Sequence, residues 1–130
     1  MKKPSCSRCS PKPKLASRPL LLPRQARALE ATFKMLANAT RLRMLHALAR
    51  ADELCVGDLA QELGMKPQAV SNQLQRLADR SIVEARREGL QMYYRILDPC
   101  VITLLDEGWC LAEDSSVRQF ERTEGGKVAS

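Results

Sequence analysis

The stretch from Leu54 to Ile96 constrains the fold most, because the spacing of its apolar residues changes character within it. From Val56 to Leu63 the order VGDLAQEL puts Leu59 and Leu63 at i, i+4, with Val56 one turn before Leu59. That is a helical repeat. Gly64 follows, a residue that takes the positive φ on which helices often end. Pro67 then stands where a second helix begins, since a first-turn N–H has no partner to lose. This helix, about Pro67 to Arg80, gathers Val70, Leu74 and Leu77 on one side. Its opposite side carries Gln68, Asn72 and Gln75, flanked by Ser71 and Arg76. Asn and Gln donate and accept together, as the major-groove edge of adenine requires. Any solvated helix face can show such residues, so the next segment decides between the two readings.

That segment, IVEARREGLQMYYRIL, is strand-like from Ile82 to Arg86 and from Gln91 to Ile96, rich in β-branched and aromatic residues. Arg87-Glu88-Gly89-Leu90 between them forms the turn of a hairpin. Arg86, Arg87 and Arg95 lie on or near it, placed to reach phosphates beside a groove. Two helices across a tight break, followed by a basic hairpin, define a mainly α fold with a small β-hairpin: a winged helix-turn-helix.

Charge supports this only locally. Residues 1–27 hold eight Lys or Arg and no acid, whereas the rest of the chain holds thirteen basic and fifteen acidic residues. From Lys66 to Arg95 there are six basic and three acidic side chains, so the positive charge of the body sits on the segment in question. A length of 130 residues suits one modest core. The sequence predicts a flexible basic arm over 1–23, the folded domain over 24–113 and a polar, frayed tail over 114–130.

Upstream of the central stretch, Arg24 to Ala37 is predicted helical, with Leu29, Phe33 and Leu36 in register. Asn38 or Thr40 caps a second helix running to Arg50, with Leu42, Leu45, Leu48 and Ala49 inward. His46, the one histidine, fits the edge of that apolar stripe. No nucleophile, base and orienting carboxylate come together in the pattern, so an enzyme is not expected. Downstream, Asp98-Pro99 starts a fifth helix over Val101 to Leu111, with Val101, Leu104, Leu105 and Trp109 along one side. So small a body cannot bury that stripe alone, and a partner is expected.

Five cysteines occur, with no apolar run long enough for a secretory signal or a membrane span. A cytoplasmic location follows, where thiols stay reduced and serve metals or redox sensing rather than bridges. Cys6-Ser7-Arg8-Cys9 is a C-x-x-C with nothing strand-like before it, which excludes a thioredoxin-type site. Metal ligand and incidental thiol both remain open for that pair. Cys55 stands at the start of the third helix, whose N-terminal end favours an anionic sulfur. A small apolar core residue would suit the same position.

The runs ANATRLRMLHAL, ELCVGDLAQELG, QAVSNQLQRL and REGLQMYYRI resemble, in that order, the ArsR/SmtB family of metal-sensing repressors, over roughly Arg24 to Glu113. Within the family the cysteine pattern is most similar to actinobacterial mercury-resistance regulators. This sequence departs from the family at Gly57, where some members have a second cysteine, at Ser81, where glycine is usual, and at Leu90, where an arginine is usual. The resemblance implies a homodimer built through the first and fifth helices, suited to two operator half-sites. It also favours Cys55 as a ligand. Asp98-x-Cys100 and Cys110-x-x-Glu113 are similar to the paired ligands that some members place on the fifth helix, with sulfur for nitrogen. Ten helical residues rise ~15 Å, whereas two sulfurs on one metal lie roughly 4 Å apart. Cys100 and Cys110 of one helix therefore cannot share an ion.

The expected function is a repressor that binds double-stranded operator DNA and releases it on capturing a heavy-metal ion through Cys55, Cys100 and Cys110. DNA contacts are expected from Gln68, Ser71, Asn72, Gln75, Arg76, Arg86 and Arg87. Soft ligands select soft ions; Hg(II) comes first, partly from the resemblance, with Cd(II), Pb(II), As(III) and Zn(II) behind it. Two alternatives are a thiol redox sensor of the same fold and a soluble thiol metal carrier with no role on DNA.

Overall fold

The computed structural model describes residues 12–129, without the side chains of 120, 121 and 123–129. Cys6 and Cys9 lie outside the described residues. A 3-10 turn, Leu15–Ser17, precedes helices α1 (Pro23–Leu36) and α2 (Ala39–Ala51). A short strand β1 (Leu54–Cys55) leads into α3 (Val56–Leu63) and α4 (Pro67–Asp79). Strands β2 (Val83–Glu88) and β3 (Gln91–Ile96) form the hairpin, and α5 (Pro99–Ala129) closes the chain. The described residues up to Pro99 form one compact unit and those from Cys100 onward a second.

Each boundary has a local cause. Pro23 opens α1, and the side chain of Gln25 accepts from the Leu22 N–H at 2.8 Å. Asn38 caps α2 by accepting from the Arg41 N–H at 3.0 Å. Gly64 ends α3 in the left-handed region at φ 68°, where a β-carbon is costly. Pro67 opens α4 as the spacing predicts.

The core of the first unit is aliphatic. Met44, Leu45 and Leu48 of α2 pack with Leu59 of α3, with Val70, Leu74 and Leu77 of α4, and with Val83 of β2, all essentially inaccessible. Tyr94 is the aromatic residue buried with them. The inward side of α2 is rotated from the expected one. Met44 and Ala47 are buried, Leu42 is exposed and Ala49 half-buried. His46, expected at the edge of the apolar stripe, is exposed, because the buried face is centred on Leu45 and Leu48. On α1 only Leu36 is buried, and Leu29 and Phe33 stay exposed.

The sheet has the order β1-β3-β2, all antiparallel. β1 pairs Leu54 with Tyr94 and Cys55 with Tyr93. Two residues carry no periodicity, which is why this strand is invisible in the sequence. β3 pairs with β2 from Val83–Ile96 to Glu88–Gln91. The turn is tighter than expected, with Gly89 at φ 63° and Leu90 at the tip, 97% exposed.

In the second unit α5 does not stop at Leu111 but continues to Ala129. No proline interrupts residues 100–129, and Glu, Arg and Gln propagate helices well. Val101, Ile102, Leu104 and Leu105 are half-buried, whereas Trp109, Leu111 and Val117 are exposed.

Ser81, between α4 and β2, adopts φ 59°. The left-handed region costs a residue with a β-carbon about 1 kcal/mol or more. Ser81→Gly is therefore expected to raise stability by about 0.5–1 kcal/mol, net of the looser unfolded chain, read as a shift of the urea midpoint at unchanged slope.

Candidate nucleic-acid interface and thiol positions

Burial of Val70, Leu74 and Leu77 decides which side of α4 faces out. Gln68, Asn72, Gln75 and Arg76 are exposed and Ser71 half-buried, as the spacing implies. The amides are ordered along the helix. Gln68 Nε2 donates to Asn72 Oδ1 at 3.0 Å, and Gln75 Nε2 donates to Asp79 Oδ1 at 3.0 Å.

A part-buried arginine fixes this helix from behind. Arg41 Nε donates to Gln73 Oε1 at 2.9 Å, and the same guanidinium donates to the Met35 carbonyl at 3.0 Å. One side chain thus joins the end of α1, the start of α2 and the middle of α4. Sequence reasoning missed it, because the partners are 32 residues apart and neither belongs to an apolar repeat.

The three wing arginines have different surroundings. Arg86 Nε and an Nη donate to the two carboxylate oxygens of Glu53 at 3.1 and 2.6 Å. The other Nη of Arg86 donates to Glu88 at 2.7 Å, and the guanidinium lies 4.9 Å from the centre of the Tyr93 ring. The bond from Arg86 holds the Glu53 carboxyl below its ordinary range, and the guanidinium is raised in turn, first by Glu53. Arg95 is paired with Glu84. Arg87 donates to the Gly89 carbonyl at 3.2 Å and remains exposed beside the turn. Arg86 therefore has two carboxylate partners in the fold, whereas Arg87, exposed on the wing, donates to a backbone carbonyl and is the better placed of the two for an anion.

The thiols sit in unlike settings. Cys55 is the residue preceding the first turn of α3 and is buried at 6% exposure. Cys100 and Cys110 are exposed thiols on α5. Cys110 Sγ donates to Asp114 Oδ2 at 3.7 Å. The Asp114 charge, with smaller contributions from Glu107 and Glu113, pushes the Cys110 thiol above its usual range. Among the described residues no three His, Cys, Asp or Glu side chains come together to hold a metal. Nor is any described helix long and apolar enough to cross a membrane.

A helix pair across a glycine break, with a polar outer face on the second helix and a hairpin beside it, is a winged helix-turn-helix. Residues 38–85 match the model of the bacterial regulatory protein arsR family. The chain is 42% identical over 83 residues to the transcriptional repressor SmtB homologue of Synechocystis, covering 64% of this chain and 62% of that protein. It is 33% identical over 84 residues to a probable mercury resistance operon repressor of Streptomyces lividans, covering 65% of this chain and 66% of that one. The crystal structure of the AntR antimony-specific transcriptional repressor superposes with a TM-score of 0.71 at 57% identity, covering 83% of this chain and 97% of that one. The chain belongs to the ArsR family. The matches to these two curated relatives span just under two thirds of each relative's length.

If Arg41 and Gln73 act as one unit, their losses do not add. Arg41→Ala and Gln73→Ala are each expected to destabilise the fold, and the double variant to lose less than the sum by about 1 kcal/mol, measured as a denaturation cycle.

Proposed function

We propose that this chain is a homodimeric, metal-responsive transcriptional repressor that holds operator DNA until a thiophilic ion is captured by its cysteines. The observation that carries this is the outer face of α4. Gln68, Ser71, Asn72, Gln75 and Arg76 are turned outward by a fully buried opposite face, beside a wing that offers Arg87. Amides and a guanidinium are the groups that discriminate base edges in the major groove, and Arg87 is assigned to a phosphate. Arg86 is left out of the contact set because Glu53, Glu88 and Tyr93 occupy it.

Exposed apolar side chains support the dimer. Leu22, Leu29 and Phe33 of the α1 region, and Trp109, Leu111 and Val117 of α5, lie open in the single chain. Covering them with a second copy removes apolar surface from water and sets two α4 helices for two half-sites.

Cys55, Cys100 and Cys110 are the proposed ion ligands. The 57% identity to an antimony-specific repressor supports a trivalent, sulfur-seeking metalloid as effector, Sb(III) or As(III). Hg(II) is the second reading, favoured by the mercury-operon relative. An ion that binds the DNA-incompetent state more tightly lowers DNA affinity by linkage.

A gel shift on the DNA upstream of the coding sequence, titrated with Sb(III), As(III), Hg(II), Cd(II), Pb(II) and Zn(II), tests both halves. Retardation that weakens steeply with salt and is reversed by a soft ion is expected. Absence of any specific shift would sink the repressor, and shifts indifferent to every ion would sink the sensor. Asn72→Ala should cost about 1–3 kcal/mol at the operator and little on unrelated DNA. Arg87→Ala should weaken both and lower the salt slope by about one. Cys55→Ser should keep its grip on the operator when the ion is added, and full release of this variant would remove Cys55 from the ligand set.

A further inference from the structure

A row of side chains crosses the sheet from the buried thiol to the wing. Cys55 on β1 stands opposite Tyr93 on β3, and Tyr93 stands opposite Arg86 on β2. Directly opposed residues of antiparallel strands share a face, with β-carbons about 5 Å apart. The Arg86 guanidinium, 4.9 Å from the Tyr93 ring centre, obeys that rule. Exposure rises along the row, from buried Cys55 through half-buried Tyr93 to exposed Arg86.

Glu53 closes the row into a loop. It lies two residues before Cys55, and both of its carboxylate oxygens accept from Arg86. Arg86 also holds Glu88, the last residue of β2 before the wing turn. A single guanidinium therefore touches the segment that bears the thiol, the central strand and the rim of the wing. A planar fork can hold all three in one geometry, which a lysine ammonium cannot.

Resting on the reading of this chain as a thiol-sensing repressor, we propose that Arg86 is a positioning residue that ties the pose of the wing to the state of Cys55. The Cys55 side chain is buried, at 6% exposure. A heavy ion captured at its sulfur needs space there and displaces the neighbour across the strand, Tyr93. The ring carries Arg86 with it, and the fork to Glu53 and Glu88 passes the displacement to the wing instead of letting it dissipate in solvent. Packed elements move as units because interiors are dense.

The test uses the full chain as wild type, Arg86→Gln and Arg86→Lys, with Sb(III) and Hg(II) in parallel series. Two quantities are read: operator affinity with and without ion, and ion uptake from sulfur-to-metal absorbance. Arg86→Gln is expected to take up the ion with wild-type stoichiometry and to bind the operator within about threefold of wild type when ion-free. Its ion-induced loss of affinity is expected to fall to about twofold or less, against couplings of about 5–150-fold in allosteric proteins. Arg86→Lys, which keeps the charge and loses the fork, should behave as Arg86→Gln does. Release of Arg86→Gln as complete as that of wild type would overturn the proposal. So would a loss of ion-free affinity with a salt slope reduced by about one, the mark of a phosphate contact. If Arg86→Gln does not fold, Glu53→Gln is read by the same criteria. A wild type that binds the operator but is released by neither ion overturns the sensing reading and this inference together. A wild type that responds while both Arg86 variants respond equally overturns this inference alone.

Discussion

Removal of Val70, Leu74 and Leu77 from water fixes the rotation of α4, and the rest of the interface depends on it. Each such side chain gains about 1.5–3 kcal/mol on burial, and all three lie within two turns, fully covered. A turn of the helix by one residue would swing it about 100°, expose this stripe and bury amides that have no partners inside. The polar outer face is thus specified by what the inner face excludes. Arg41 adds a polar tie to the same end, joining Gln73 to the carbonyl of Met35.

The wing is held by different forces. Tyr94 is buried beneath it, and β1 contributes only Leu54 and Cys55 to its edge. A two-stranded ribbon alone is marginal in water. The third strand and the contacts of Arg86 keep this one in place against the body. Arg86, one of the arginines expected to reach a phosphate, thus also ties the wing to Glu53 in the fold.

The helices and the hairpin were legible because their apolar spacing is regular and their ends carry proline, asparagine or glycine. What was not legible has specific causes. β1 is two residues long and has no pattern to detect. The extra length of α5 was hidden by polar composition, which separates a fraying tail from a solvated helix poorly. The inward side of α2 takes in Met44 and Ala47 rather than Leu42 and Ala49, because either set gives an acceptable helical stripe around Leu45 and Leu48. The roles of Arg41 and Arg86 rest on partners 32 and 33 residues away, which no local window contains. Gln68, Asn72, Gln75 and Arg76 of α4 are exposed as the spacing implies, because one buried stripe determines its complement, while Ser71 at the flank is half-buried. Nothing comparable determines which thiols share an ion.

The bond from Gln68 to Asn72 uses one donor of the first amide and the acceptor of the second. What remains on the pair is the Gln68 carbonyl oxygen with both lone pairs, the Asn72 amino group with both hydrogens, one further N–H on Gln68 and one lone pair on Asn72 Oδ1. The bond also fixes which way round each amide stands, so the free oxygen of the first and the free amino group of the second keep one order along the helix. Any group that meets this face in the opposite order must first break the internal bond, a cost set before any contact outside the protein is made.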